Sequence, residues 1–241
     1  MTTLSVVVPV FNDAENIESL AREIETVAPE TSIIEIIFVD DCSDDATPAK
    51  LAELKKSLPM LRVLRHKKRS GQSTALWTGI SHARGDLVVT LDGDGQNDPA
   101  DIPLLYKKYQ ESVKIAPHTL VAGQRRKRHD NLLRRFSSRT ANAIRSFILQ
   151  DGVRDTGCSL KLFRREDFLS LPFFNHLHRY IPALMKAKDV SISLVDVGHR
   201  PRTRGVSKYG FWDRLWVGVF DLVGVRWLLA RTKPTVGVTE P

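Results

Sequence analysis

Apolar residues recur along the chain in two patterns. Continuous runs at Leu4 to Val10 and Ile33 to Val39 each break into a polar loop, with Phe11-Asn12-Asp13 after the first and Asp40-Asp41-Cys42-Ser43 closing the second. Short unbroken apolar runs bounded by turn residues predict strands buried on both faces of a parallel sheet. Leu61 to Leu64, Leu87 to Leu91 and Leu120 to Val121 predict further strands. Between them, Ala14 to Val27, Ala46 to Ser57, Ser73 to Ala83 and Asp101 to Glu111 carry helical patterns. This alternation predicts an α/β fold with a doubly wound, mostly parallel sheet and helices on both faces. Ligands of such sheets bind outside the carboxyl ends of the strands, and that edge carries Asp13, Asp40, Asp41, Asp92 and Asp94.

At 241 residues, 42% of them hydrophobic, the chain suits one domain with an appendage. Its two cysteines, Cys42 and Cys158, have neither the number for a disulfide framework nor metal-ligand spacing, which predicts a reducing compartment. The first strand begins at Leu4 with no basic leader pattern before it, so no signal peptide is expected and the protein is placed on the cytosolic side. A net charge of +8 calls for an anionic partner, whether nucleic acid, a lipid surface or a phosphorylated substrate. The charge is local: Arg125, Arg126, Lys127, Arg128, Arg134, Arg135, Arg139 and Arg145 share one segment whose only carboxylate is Asp130.

Residues 86 to 96 read as an apolar run that breaks into Asp92, Asp94 and Gln96, spaced two apart. Side chains alternate along an extended chain, so these three can converge on one side of the turn that ends the strand. Hard oxygen ligands suit Mg²⁺ or Mn²⁺, and such cations complete their shell with phosphate oxygens. A polar Asp-Gly turn without a ligand is the competing reading. Neither Gly-x-Gly-x-x-Gly after the first strand nor Gly-x-x-x-x-Gly-Lys-Ser/Thr occurs, so a nucleotide would be held through the metal.

The motifs Val8 to Ile17, Val39 to Thr47, Gly71 to Ala75 with Gly79, Ala83, Gly85 and Asp86, Leu91 to Pro99, Asp155 to Ser159 and Arg204 to Tyr209 come in a characteristic order. In that order the chain resembles glycosyltransferase family 2 enzymes of GT-A fold, and within them polyprenyl-phosphate glycosyltransferases of the dolichyl-phosphate mannose synthase type. The resemblance spans roughly residues 4 to 210, with Asp13 standing where the family commonly has Glu. It implies that Pro9, Phe11, Asp13 and Asp40 or Asp41 line a base and ribose pocket, and that Gly71 lets the chain approach a GDP- or UDP-sugar closely. It also implies that Asp92, Asp94 and Gln96 hold the metal against the diphosphate. Helix capping is the alternative role for Asp13 and Asp44, and for Asp44 it is the expected one.

The acceptor separates the branches of the family. A hydroxyl acceptor needs a carboxylate base, whereas a lipid phosphate is largely dianionic at pH 7 and needs cations instead. By resemblance Arg125, Arg134 and Ser138 are acceptor-phosphate contacts, with Arg202, Arg204, Ser207 and Lys208 forming a second clamp. The Glu-Asp base motif of hydroxyl-acceptor relatives is absent, and Asp155 is the residue that could still act as base.

Charges at Asp213, Arg214, Asp221 and Arg226 argue against a transmembrane span over residues 211 to 230. On a helix, Trp212, Trp216, Val219, Phe220, Val223 and Trp227 share one stripe, with Arg214, Asp221 and Arg226 on the far side. That describes an in-plane amphipathic helix at a lipid surface; the alternative is a helix packed on the protein's own core or on a partner subunit or membrane protein. The division expected is a catalytic domain over 1–210, the amphipathic segment over 211–231 and a disordered tail over 232–241. The expected activity is inverting transfer of one sugar to a polyprenyl phosphate at the cytoplasmic face of a membrane. A nucleic-acid binder would explain the charge but would set phosphates against the acidic strand ends.

Overall fold

The computed structural model describes residues 2–125, 145–201 and 211–231, with side chains from residue 218 onward in the last segment. Its centre is β1 (Leu4–Val10), buried along its whole length. β2 (Ile33–Asp40) and β4 (Leu87–Thr90) flank it in parallel, and β3 (Leu61–Arg65) lies outside β2. Then come β6 (Lys161–Arg164), β5 (Thr119–Arg125) and β7 (Ser191–Val197), completing a seven-stranded sheet of order β3-β2-β1-β4-β6-β5-β7. β6 is antiparallel to both neighbours, while β5 and β7 run parallel to each other.

Strand alternation divides the core between the two faces. Val6, Val8 and Val89 enter one cluster with helices α1 (Ile17–Thr31), α2 (Thr47–Ser57) and α4 (Ile102–Ser112), through Leu20, Ile24, Leu51 and Leu105. Val7 and Val88 enter the other, with α3 (Gln72–His82), α5 (Arg165–Leu169), α6 (Ile181–Lys186) and α7 (Phe211–Arg231). Gly79 brings α3 close to the sheet: a Cβ there would lie 2.4 Å from Val7 Cγ1.

The five strands and four helices read from the first half are present, with ends shifted by a few residues. α1 begins only at Ile17 because Asp13 to Asn16 form a turn, closed by Asn16 N donating to the Asp13 carbonyl at 2.9 Å. Asp44 does not cap α2, whose N-cap position is Ala46 without a side-chain cap bond; the neighbouring Asp45 Oδ1 accepts from Thr47 N at 2.8 Å. Asp44 pairs with the Asn12 side-chain amide at 2.6 Å. β6 and β7 were not legible as strands: β6 is four residues headed by a lysine, and β7 lies at the sheet edge with mostly exposed or half-exposed residues.

The terminal helix is in place, and its face assignment is refined. Val225 is buried, and Leu222, Leu228 and Leu229 pack on the second core cluster. Asp221, expected on the solvent side, turns inward and meets His176 Nδ1 at 2.7 Å. Val219, Phe220, Val223 and Trp227 of the expected stripe are exposed, Phe220 at 74% and Trp227 at 60%. The side chains of Trp212, Trp216 and Arg214, and residues 232–241, lie outside the described residues. Among the described residues no helix is long and apolar enough to cross a membrane.

Candidate active site

β1 and β4 are neighbours, so the loops leaving their carboxyl ends meet at the point where strand order reverses. Gly93 permits the contact, since a Cβ there would stand 2.6 Å from Val10 Cγ1 and 3.2 Å from Asp13 Oδ2. Asp13 folds its own loop by accepting Phe11 N at 3.0 Å, while its amide donates to Thr47 Oγ1 at 3.0 Å. Arg69 stacks on the Phe11 ring, 4.1 Å from its centroid. Asp13 is therefore brought beside the loop of Asp92 and Asp94, with Phe11 held next to it.

Asp40 and Asp41 sit deeper. Asp40 Oδ1 accepts Ser43 N at 2.9 Å, and its Oδ2 lies 3.2 Å from Arg65 Nε. Asp41 accepts Ser70 N at 2.8 Å and Gly71 N at 2.7 Å, with His66 Nδ1 at 2.7 Å. Both carboxylates are buried; Asp41 shapes the loop that delivers Gly71 to the head of α3, while Asp40 fixes the turn at Ser43 beside Arg65. Gly71 has φ +88°, a conformation that favours glycine.

In the metal-ligand pattern, Asp92 Oδ1 accepts Gln72 Nε2 at 2.7 Å, and Gln96 N donates to Asp94 Oδ1 at 3.1 Å. Burial, with the Asp94 carboxylate beside it, pushes the Asp92 carboxyl up to about 6. Gln96 Nε2 lies 3.4 Å from His199 Nε2, which leaves the amide oxygen as the atom offered to a cation. Among the described residues no three His, Cys, Asp or Glu side chains converge as a metal cage. Two crowded carboxylates and an amide oxygen fit a hard divalent cation that takes its remaining ligands from substrate phosphates and water.

Arg125 is tied to Asp155 through two bonds, Nε to Oδ2 at 2.5 Å and Nη2 to Oδ1 at 2.6 Å, and both side chains are largely buried. Arg145, also in the basic segment, is similarly engaged by Asp151 at 2.7 and 3.0 Å. Arg134, Ser138, Arg202, Arg204, Ser207 and Lys208 lie outside the described residues.

Sequence reading passed over a pocket of about 210 Å³ that begins at Asp92 and is lined also by Gln72, Gly157, Lys161, His178 and Arg179. Lys161 stands within the buried run Leu160 to Phe163, an odd place for an ammonium and the one signal that could have exposed it. His178 and Arg179 come from a short 3₁₀ turn whose sequence carries no recognisable pattern. Ser73 Oγ holds His178 Nδ1 at 2.8 Å; burial, then Arg179 and Lys161, push this histidine down to about 3, so it is neutral.

A sheet mixed only at β6, with carboxylates gathered at its switch point, is a GT-A-like fold. The profile of "Glycosyl transferase family 2" matches residues 5–171, and the chain belongs to that family. It is 34% identical over 234 residues to the dodecaprenyl-phosphate galacturonate synthase of Rhizobium johnstonii, covering 94% of this chain and 67% of that protein. To the undecaprenyl-phosphate 4-deoxy-4-formamido-L-arabinose transferase of Shewanella sediminis it is 31% identical, over 91% of this chain and 65% of the relative. The chain thus spans about two thirds of the length of these relatives. Mannosyl-3-phosphoglycerate synthase from Rubrobacter xylanophilus shares the fold with a TM-score of 0.72 at 21% identity, covering 98% of this chain and 77% of that one. Glucosyl-3-phosphoglycerate synthase from Mycobacterium tuberculosis, crystallised with Mg²⁺ and uridine diphosphate, gives 0.70 at 22%, with 98% and 81% covered.

Proposed function

We propose that the protein transfers one sugar, with inversion, from a GDP- or UDP-sugar to a polyprenyl phosphate at a membrane surface. The observation that carries this reading is the Arg125–Asp155 pair. The carboxylate that a hydroxyl acceptor would need as base is held bidentately by a guanidinium, so both of its oxygens are already engaged. A phosphate nucleophile needs no base. The relatives named for dodecaprenyl and undecaprenyl phosphate support the same acceptor class.

Phe11, Asp13 and Gly71 would meet the nucleoside, with Pro9, Asp40 and Asp41 forming the wall behind them. Asp92, Asp94 and the Gln96 oxygen would hold Mg²⁺ or Mn²⁺, which when bound supplies charge neutralisation for the departing diphosphate. Arg125, and beyond the described residues Arg134, Ser138, Arg202, Arg204 and Lys208, are assigned to the acceptor phosphate. The exposed Val219, Phe220, Val223 and Trp227 would meet the lipid surface, making attachment peripheral.

Transfer assayed with polyprenyl phosphate, with a free glycan and with no lipid tests the proposal. Product with the lipid phosphate alone is expected; product with the glycan would instead make Asp155 a base and place the protein among hydroxyl transferases. A screen of nucleotide sugars identifies the donor.

A further inference from the structure

Among the described residues, two cations lining the pocket beside Asp92 are underused. Arg179 is half-buried on the pocket wall, and among the described residues no hydrogen bond or ion pair engages its guanidinium. Lys161 is 3% exposed, and among the described residues its ammonium makes one hydrogen bond, to the Cys158 carbonyl. Burial lowers the pKa of this lysine, while the Asp92 and Asp155 carboxylates nearby oppose that shift. Sequestering a cation with unspent donors costs stability unless a ligand repays it.

The lining indicates what kind of ligand. Asp92 is its one carboxylate, already assigned to the metal, and the Gln72 amide is spent on Asp92. Against that one carboxylate stand Lys161 and Arg179, with Leu76, Leu91 and Ile181 completing the wall, a net positive space suited to an oxyanion. Its position indicates which one. The pocket reaches from Asp92 to Gly157, and Gly157 abuts Arg125, since a Cβ on it would stand 3.1 Å from Arg125 Nη2. Phe11 and Asp13, on the nucleotide side, are not part of the lining. An anion held here lies between the metal carboxylates and the first acceptor-side arginine.

We propose that Arg179 and Lys161 are acceptor ligands that hold the attacking phosphate of the prenyl lipid inside this pocket, a subsite that rests on the transfer reading above. A phosphate oxygen forms the bond to the anomeric carbon, the bond from that carbon to the diphosphate breaks, and its electron pair leaves with the nucleoside diphosphate. No proton moves. His178, anchored by Ser73, is a positioning residue for Arg179, which follows it directly in the chain.

Calorimetric titration of Arg179→Gln with a ten-carbon prenyl phosphate, and separately with UDP and GDP in the presence of Mg²⁺, tests the subsite without requiring turnover. Prenyl-phosphate affinity should fall about tenfold or more, as expected for a lost charge-assisted contact, with nucleotide affinity unchanged. Arg179→Lys should recover part of the loss, and Lys161→Met, if its melting temperature is preserved, should repeat it. Weakening of nucleotide binding instead would move the site to the diphosphate, and no change in either ligand would remove it; both overturn the proposal. A wild type that binds prenyl phosphate in this pocket yet transfers no sugar to it would sink the transfer reading and leave the subsite standing.

Discussion

The charge on each side chain decides what its replacement does. Asp94→Asn should abolish transfer while the protein melts normally, because the carboxylate is assigned to neutralising a cation and not to packing; activity undiminished by a chelator would refute the metal role. Gln96→Ala should reduce activity less, since it removes a neutral oxygen. His178 makes a pH prediction. Its folded pKa of about 3 lies below the ordinary 6.5, so the unfolded chain takes up a proton that the native state refuses. Stability owed to this residue is complete above about pH 6.5 and is lost as pH falls toward about 3. His178→Gln should therefore lose less thermal stability than wild type between about pH 7.5 and about pH 5, measured by melting temperature. The proposed metal triad of Asp92, Asp94 and Gln96 could be put forward from sequence because two-residue spacing is a local property. Gln72, Lys161, His178, Arg179 and His199 could not, because they reach the site from α3, β6, a 3₁₀ turn and the segment after β7, and only the fold puts them together.

Elements succeed or fail by how their faces pack. The parallel half of the sheet was readable because β1, β2 and β4 are buried on both sides and must be apolar throughout, apart from Ser5, Glu35, Asp40 and Thr90. β6 and β7 hide because one is too short for a pattern and the other keeps one face toward solvent. Gly79→Ala should cost about 1 to 3 kcal/mol, since its methyl would overlap Val7, and Val7→Ala in the same chain should relieve part of that loss in a denaturant melt. On α7 the two faces should separate cleanly. Val225→Ala removes two buried methyl groups and should lower stability by about 1.5 kcal/mol. Phe220, Val223 and Trp227 all changed to Ser should leave the melt intact and abolish sedimentation with lipid vesicles; unfolding of that variant without lipid would mean the stripe is packed against protein.

For the whole molecule, the proposed reading makes membrane attachment and chemistry separate properties. The same triple substitution should spare transfer to a short, water-soluble prenyl phosphate and sharply reduce transfer to a long-chain lipid in vesicles. The separation is not complete, because α7 is fastened to the wall of the pocket. Asp221 pairs with His176 at 2.7 Å, the Tyr180 hydroxyl reaches the Gly218 carbonyl at 3.5 Å, and between these two anchors of the 176–180 turn lie His178 and Arg179. On the proposed reading, the helix that rests on the bilayer therefore works as a depth gauge, setting the height of the pocket above the hydrocarbon. A phosphate tethered to any long prenyl tail floats at one level, that of the headgroups, so such an enzyme would select its acceptor by altitude and be indifferent to how much chain hangs below.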